Sequence, residues 1–306
     1  MKLSKKGKIV VILLLLILLV GGFLLYKVIH FNHAIHDSKN SIESLDSGPE
    51  KIKDKKPISI AIFGVDSDAT RAKENMGQRT DTILVASINP EKEKTKLISI
   101  PRDTRANIAG EGRSEKIAHA YAYGGPKTAI HTIENNFNIP IDGYVTVDMD
   151  GFEKLIDIFD GVDVKSNATF SYNGSQFEKG KKTHLDSKKA LNYVRSRKED
   201  GAGGDEGRTE RQRQVIAELS KKMSQTNNIF KLNKILKVSE QNVKTSFDIN
   251  SLKTLYSQYK DATTSIDKLS LSGQDLIEDD GIWYFEPDAV DKKEKMESFK
   301  KNLSSK

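Results

Sequence analysis

The sequence predicts an α/β fold, a sheet covered by helices on both faces, on three observations. Apolar β-branched runs such as Ile58–Val65 read as buried strands, stretches with helical spacing follow them, and the two kinds of segment interleave along the chain. The 306 residues are long enough to bury a substantial core. A content of 37% hydrophobic and 30% charged side chains excludes a wholly disordered chain and a polytopic membrane protein. The absence of cysteine excludes a disulfide scaffold, a thiolate metal site and a cysteine nucleophile.

At the N-terminus, Ile9–Tyr26 carries no charge and Ile9–Val20 is an unbroken apolar run. About eighteen helical residues rise roughly 27 Å, close to a hydrocarbon core once Lys27 snorkels. The following Lys27-Val28-Ile29-His30-Phe31 offers no small-residue cleavage pair, which favours a retained transmembrane anchor over 9–29 rather than a cleaved signal peptide. Lysines concentrate before the span, so residues 1–8 are expected in the cytoplasm and the body of a single-pass membrane protein outside. Residues 1–30 hold five lysines (Lys2, Lys5, Lys6, Lys8, Lys27) and no acid, whereas the remainder balances 44 basic against 43 acidic side chains. A near-neutral body gives no field for nucleic acid, and none is expected as a partner.

Residues 30–57 read as a polar linker, broken by Gly48-Pro49 and Pro57, in which His30, His33 and His36 form a solvated stripe. A domain over 58–290 follows. Ile58–Val65, Thr82–Ile88 and Thr95–Ile100 are expected strands, and the short turn Asn89–Lys94 makes the last two antiparallel neighbours. Gly124-Gly125-Pro126 opens a helix through Phe137, and Gly151–Phe159 is a second, ended by Gly161. Arg208–Met223 is the clearest helix, with Gln212, Val215, Ile216, Leu219 and Met223 on one stripe. Residues beyond about 225 are expected to complete the helical layer, and 291–306 to form a flexible tail.

This topology places chemistry at one end of the sheet. The first strand delivers Asp66, the polar loop Ser67–Thr80 stays at that end, the second strand descends from Asp81, and the third returns to Pro101-Arg102-Asp103. Asp66 and Asp81 suit a hard cation such as Mg²⁺. They equally suit a strand cap and a partner for Arg79, and the residues alone leave both readings open. Tyr193–Arg197, read as a strand, sets Arg195 and Arg197 on one face about 6.6 Å apart. Arg208 and Gln212 extend the apolar stripe and should point inward, where a buried guanidinium calls for an anion and fits phosphate. Arg213 is rotated off that stripe and is expected to face solvent. Gly201–Gly204 does not follow a strand, and Gly174 to Lys182 has the wrong spacing for a phosphate loop. Asn167-Ala168-Thr169 matches a glycosylation sequon, a short pattern that arises often by chance.

Phe63-Gly64-Val65-Asp66-Ser67, Gln78–Thr82, Ser99–Asp103, Lys116–Tyr121, Asp142–Asp148, Tyr193–Arg197 and Arg208–Gln214 occur in that order. Together they resemble the LytR-CpsA-Psr family of Gram-positive cell-envelope enzymes, over about Ile58 to Met223. The resemblance implies a three-layer α-β-α sandwich around a mixed central sheet, with an apolar lipid groove between sheet and helices. It implies a phosphotransferase dependent on Mg²⁺, or Mn²⁺ in its place. The substrate would be an anionic glycopolymer, such as wall teichoic acid or capsule, on a polyprenyl-pyrophosphate carrier at the cell membrane. The acceptor would be peptidoglycan, at the muramic acid 6-hydroxyl. By position, Asp66 and Asp81 would hold the metal, and Arg79, Arg102, Arg195, Arg197, Arg208 and Gln212 the pyrophosphate. The implied catalytic set is Asp66, Arg79, Asp81, Arg102 and Asp103, with Asp103 either a general base or an orienter of an arginine. Two other classes stay in view, a non-catalytic binder of polyprenyl phosphates and a membrane-anchored transcriptional attenuator. The latter lacks a recognisable helix-turn-helix.

Overall fold

The computed structural model describes residues 29–37, 42, 45, 47–66, 79–226, 229–278 and 281–305. The expected membrane span lies outside the described residues up to residue 28, as does the loop 67–78. Among the described residues no helix is long and apolar enough to cross a membrane.

After a helical stretch at 29–35 come α1 (Ser47–Lys53), β1 (Ile58–Asp66), β2 (Arg79–Asn89) and β3 (Lys94–Ser99). A small ribbon, β4 (Arg105–Asn107) with β5 (Ser114–Lys116), leads into α2 (His119–Phe137), β6 (Gly143–Asp148) and α3 (Met149–Ile158). Four short strands follow, β7 (Val162–Lys165), β8 (Phe170–Tyr172), β9 (Ser175–Phe177) and β10 (Lys182–Leu185), then α4 (Ser187–Arg195) and α5 (Gly204–Ser224). The chain closes with α6 (Ile229–Asn242), β11 (Val243–Thr245), α7 (Ile249–Gln258), β12 (Ile266–Ser270), β13 (Gly273–Ile277), β14 (Trp283–Pro287) and α8 (Ala289–Leu303).

Six strands form one mixed sheet in the order β11-β6-β1-β2-β3-β12. The tight turn after β2 forces β2 and β3 antiparallel, while the crossover through α2 returns β6 parallel to β1. Successive residues of β1 alternate between faces, as strand geometry requires. Ala61 and Phe63 pack with Ile130 and Ile133 of α2 and with Met296 and Phe299 of α8. Ile58 and Ile60 pack on the opposite face against Phe247 and Tyr259, and Leu84 and Leu97 against Ile216 of α5. Helices therefore cover both faces, as expected. A satellite core joins α3, α4 and β7–β10 to Val215 and Leu219 of α5.

Several expectations need correction. Residues 30–57 are not a solvated linker: Phe31, Ile35, Ile42, Leu45 and Ile52 are buried, and the Tyr144 hydroxyl donates to Asp37 Oδ2 at 3.0 Å. Apolar side chains spaced irregularly among polar ones still find a groove. A short helical turn from His119, not anticipated, precedes the expected helix; the non-helical Gly124-Gly125 kinks the chain there before the helix runs on from Pro126 through Phe137. The region beyond 225 does more than add helices, because it supplies both edge strands of the sheet. Finally, 291–306 is no flexible tail. Asp288 caps α8 by accepting from the Asp291 N–H at 2.8 Å, Phe299 is fully buried, and Asn302 donates to the Ser87 carbonyl at 2.9 Å. Three apolar residues, Met296, Phe299 and Leu303, carry that docking amid lysines. Phe299→Ala should cost about 3–5 kcal/mol, read as a lowered urea midpoint. A loss below about 1 kcal/mol would make α8 peripheral.

Candidate active site

Asp66 ends β1 directly opposite Arg79, which begins β2. The register then slips: Val65 faces Thr80 but Gly64 faces Thr82, leaving Asp81 as the extra residue of a β-bulge. A bulge bends its strand and re-aims a side chain. β3 returns to the same end of the sheet, and there Arg102 Nη1 donates to Asp81 Oδ1 at 2.5 Å. The side chains of Asp66 and Arg79 lie outside the described residues, although their backbones end at this point.

Asp103 is buried and faces three cations: Lys116 Nζ at 2.8 Å, Arg197 Nη2 at 3.4 Å and Arg102 Nε at 3.6 Å. Arg197 reaches onward, its Nε 3.2 Å from Asp205 Oδ1, and Arg208 Nη2 pairs with the same oxygen. Charges thus alternate without a break from Asp81 through Arg102, Asp103, Arg197 and Asp205 to Arg208. Asp205 stands in the first turn of α5, where an acid complements the helix dipole.

The two ends of this chain differ electrostatically. Burial opposes the charge on Arg102, but Asp81, Asp103 and Asp205 outweigh it and hold that guanidinium above its ordinary range. Arg208 is lowered, chiefly by burial, with Arg102 and Arg197 adding to the effect against Asp205. Arg208 Nε is buried without a hydrogen-bond acceptor, as is Arg102 Nε. A buried guanidinium N–H left unpaired is costly, and a phosphate oxygen would satisfy it.

The segment 193–197 is not a strand. Asp186 caps α4 by accepting from the Lys189 N–H at 2.8 Å, so Tyr193–Arg195 continue a helix and only Ser196 and Arg197 leave it. Arg195 and Arg197 therefore share no face: Arg197 joins the cluster, whereas Arg195 is exposed and makes no ion pair with it. Arg208 and Gln212 are buried as expected. Arg213 is not solvent-facing; it is 2% exposed and its Nε donates to Glu210 Oε2 at 3.0 Å. The reason is that α5 is covered by both the sheet and the satellite core.

Sequence reasoning assigned no role to Arg211, which is fully buried. It donates to the carbonyls of Tyr193 (2.8 Å), Ser196 (2.7 Å) and Ala202 (2.8 Å) and to Asn167 Oδ1 (3.1 Å). These acceptors flank Arg197, so Arg211 fixes the loop that presents it. Burial pushes the Arg211 guanidinium down to about 10. Its five-donor fork is the only sequence cue. Arg211→Met should cost about 3–5 kcal/mol of stability, since several buried carbonyls lose their donor; a thermal melt within about 1 °C of wild type would contradict this role. Asn167 of the sequon is likewise taken, its Nδ2 donating to the Gly207 carbonyl at 2.9 Å. Lys116, quoted only as part of a motif block, Asp205 and Trp283 were likewise given no role by the sequence.

As to a metal, the donors present fit a hard divalent cation: Asp81 gives one oxygen to Arg102 and keeps the other, and Asp66 ends the neighbouring strand. Among the described residues no group of three acidic or histidine side chains could hold an ion. A cleft of about 580 Å³ lies further along α5, lined by Lys165, Lys182, Glu218, Lys221, Lys222 and Lys268 among others. It includes none of the clustered residues, and its basic lining is unlike the expected apolar groove.

The chain is 42% identical, over 71% of its length and 70% of the relative's, to the polyisoprenyl-teichoic acid–peptidoglycan teichoic acid transferase TagU of Halalkalibacterium halodurans. The crystal structure of Bacillus subtilis TagV superimposes with a TM-score of 0.69 at 38% identity, covering 81% of this chain and 98% of that one. A structure of TagT bound to LI-WTA matches with a TM-score of 0.65 at 26% identity, covering 82% of this chain and 92% of that one. The model of the LytR_cpsA_psr family matches residues 25–303, and with these relatives it shows that the chain belongs to that family.

Proposed function

We propose that this protein is a phosphotransferase that moves an anionic glycopolymer, of the teichoic acid class, from a polyprenyl-pyrophosphate carrier onto peptidoglycan at the muramic acid 6-hydroxyl. The observation that carries the reading is the alternating chain from Asp81 to Arg208, whose buried guanidinium N–H groups lack acceptors at the end of the sheet. The relative named a teichoic acid transferase and the structure of TagT bound to LI-WTA support the substrate class. Membrane attachment through 9–29, with the domain outside, brings the site to a lipid-borne substrate.

In this reading the pyrophosphate lies among Arg102, Arg197 and Arg208, with Arg79 on the adjoining strand end. The acceptor oxygen attacks the phosphorus next to the polymer, the bond to the bridging oxygen breaks, and polyprenyl phosphate departs with the electron pair as the hydroxyl proton passes to solvent water. Phosphoryl transfer asks mainly for positioning and charge neutralisation. A Mg²⁺ or Mn²⁺ ion held by Asp66 and Asp81 would neutralise charge developing on the phosphate oxygens. Both oxygens of Asp103 already face cations, which makes it the anchor of those cations rather than the base. The test is turnover by the full-length protein with lipid-linked polymer and peptidoglycan, with and without Mg²⁺. Metal-dependent attachment supports the reading; tight binding of the lipid with no attachment in either condition would make the protein a binder.

A further inference from the structure

The basic cleft of about 580 Å³ beside α5 takes no part in the site described above. Five lysines from four elements line it: Lys165 of β7, Lys182 of β10, Lys221 and Lys222 of α5, and Lys268 of the edge strand β12. Asp163 and Glu218 are the acids of the lining, so five charges against two leave a net +3 in a body that is otherwise near neutral.

Lysines in a last helical turn or on an edge strand have ordinary roles, complementing the dipole and blocking edge pairing. Two features go beyond those roles. Lys165 and Lys182 are direct cross-strand partners on the β7–β10 ribbon, and like charges set opposite one another destabilise a ribbon. Asp163 lies 3.4 Å from Lys182 Nζ but also meets His184 Nδ1 at 2.9 Å, and among the described residues Lys165 has no ion pair. Lys222, by contrast, is fixed at the cleft wall. Its Nζ donates to the carbonyls of Phe159 at 3.1 Å and Gly161 at 2.7 Å, which leaves one N–H to spare.

An anion between the ribbon and α5 would relieve the opposed pair. The cleft has room for roughly twenty waters at about 30 Å³ each, more than one phosphate fills and enough for a short stretch of polymer. Val164 is the apolar residue of its lining and no aromatic ring contributes, so it offers neither a seat for an acyl chain nor a stacking platform for a neutral sugar. Ammonium groups act as point charges that meet phosphate from many directions, which suits a flexible, repeating phosphodiester chain. Lys221 stands about 20 Å along α5 from Arg208 and on another side of the helix, so one diphosphate cannot occupy both places.

We propose that this cleft is a second binding site, for the phosphodiester backbone of the anionic polymer at a distance from its diphosphate end. The identity of that polymer rests on the functional reading above. A donor held at both places binds more tightly the longer its polymer, until the cleft is filled.

Full-length protein in neutral detergent is titrated by calorimetry with a soluble poly(glycerol phosphate) that carries neither lipid nor diphosphate. Wild type should bind it, more weakly as salt rises. The double variant Lys165→Gln with Lys182→Gln should bind about tenfold more weakly, whereas Lys198→Ala, which removes an exposed charge outside the cleft, should stay within about twofold. Without polymer the double variant should melt no lower than wild type, because it removes the opposed pair. In transfer, it should raise KM for a long lipid-linked donor about tenfold and leave KM for a donor of one repeat unit within about twofold. Equal polymer binding by wild type and the double variant would overturn the proposal. So would weakened binding of the double variant to phosphatidylglycerol-doped micelles with polymer binding unchanged, which would make the cleft a headgroup site. Transfer by a wild type that binds no free polymer would overturn the proposal and leave the functional reading standing. Lysine-dependent polymer binding by a protein that transfers nothing would leave the cleft standing and overturn that reading.

Discussion

Asp81→Ala and Asp66→Ala should each lower metal-dependent transfer at least about a hundredfold, because each removes half of the anionic donor set for the cation that neutralises the transferring phosphate. Asp81 matters twice. Its carboxylate also pairs with Arg102 at 2.5 Å, so Asp81→Asn, which keeps an acceptor for Arg102 but no charge for the metal, isolates the metal role. The bulge that re-aims Asp81 belongs to the backbone, and Asp81 is only partly buried, so its variants should melt near wild type. Turnover within threefold of wild type in both Asp81→Asn and Asp66→Ala would make these carboxylates structural.

Arg208→Ala should cost on the order of 1.5–3 kcal/mol of transition-state stabilisation, roughly ten- to over a hundredfold in rate. Burial lowers its guanidinium, with Arg102 and Arg197 adding to the effect, and its Nε is buried without an acceptor, so it gains from an arriving anion. Arg197→Lys should also be substantially impaired, since an ammonium cannot span Asp103, Asp205 and a phosphate as a planar fork does. Lys198, adjacent in sequence but exposed, is the control. Lys198→Ala should change the rate less than about threefold. Arg213 cannot serve that purpose, because its burial makes any variant a stability variant. Rates for Arg208→Ala and Lys198→Ala that agree within threefold would remove Arg208 from the site.

The strand ends were legible before the structure because they follow from two local rules. Apolar β-branched runs marked β1 to β3, and the short turn at Asn89–Lys94 made β2 and β3 antiparallel, so Asp81, Arg102 and Asp103 had to converge. Tyr193–Arg197 misled because a Tyr-Val pair in a five-residue window looks like a strand. The longer signal, the Asp186 cap followed by buried Ala190, Tyr193 and Val194, is helical. The stripe on α5 correctly placed Arg208 and Gln212, yet one stripe describes one covered face, and α5 is covered on more. That is why Arg213 was misplaced and Arg211 passed over. The buried Phe31, Ile35, Ile42 and Leu45 are scattered among polar residues, and Ala289–Leu303 carries a few apolar residues among many charges, so their packing is visible only once the groove they fill exists. Lys116 and Trp283 lie far apart in sequence and meet where two small ribbons, β4-β5 and β13-β14, come together, so no local pattern could pair them.

The central claim is that these residues cleave a pyrophosphate and pass the polymer's phosphate to an acceptor, and the fate of the two phosphorus atoms tests it most directly. Full-length protein with Mg²⁺, lipid-linked polymer and peptidoglycan is followed by ³¹P NMR and mass spectrometry of the products. The account predicts one polyprenyl monophosphate released for each new phosphodiester formed on muramic acid, with both signals lost together in Arg208→Ala. Polymer attached with polyprenyl pyrophosphate released intact, so that no phosphorus enters the new linkage, would contradict it.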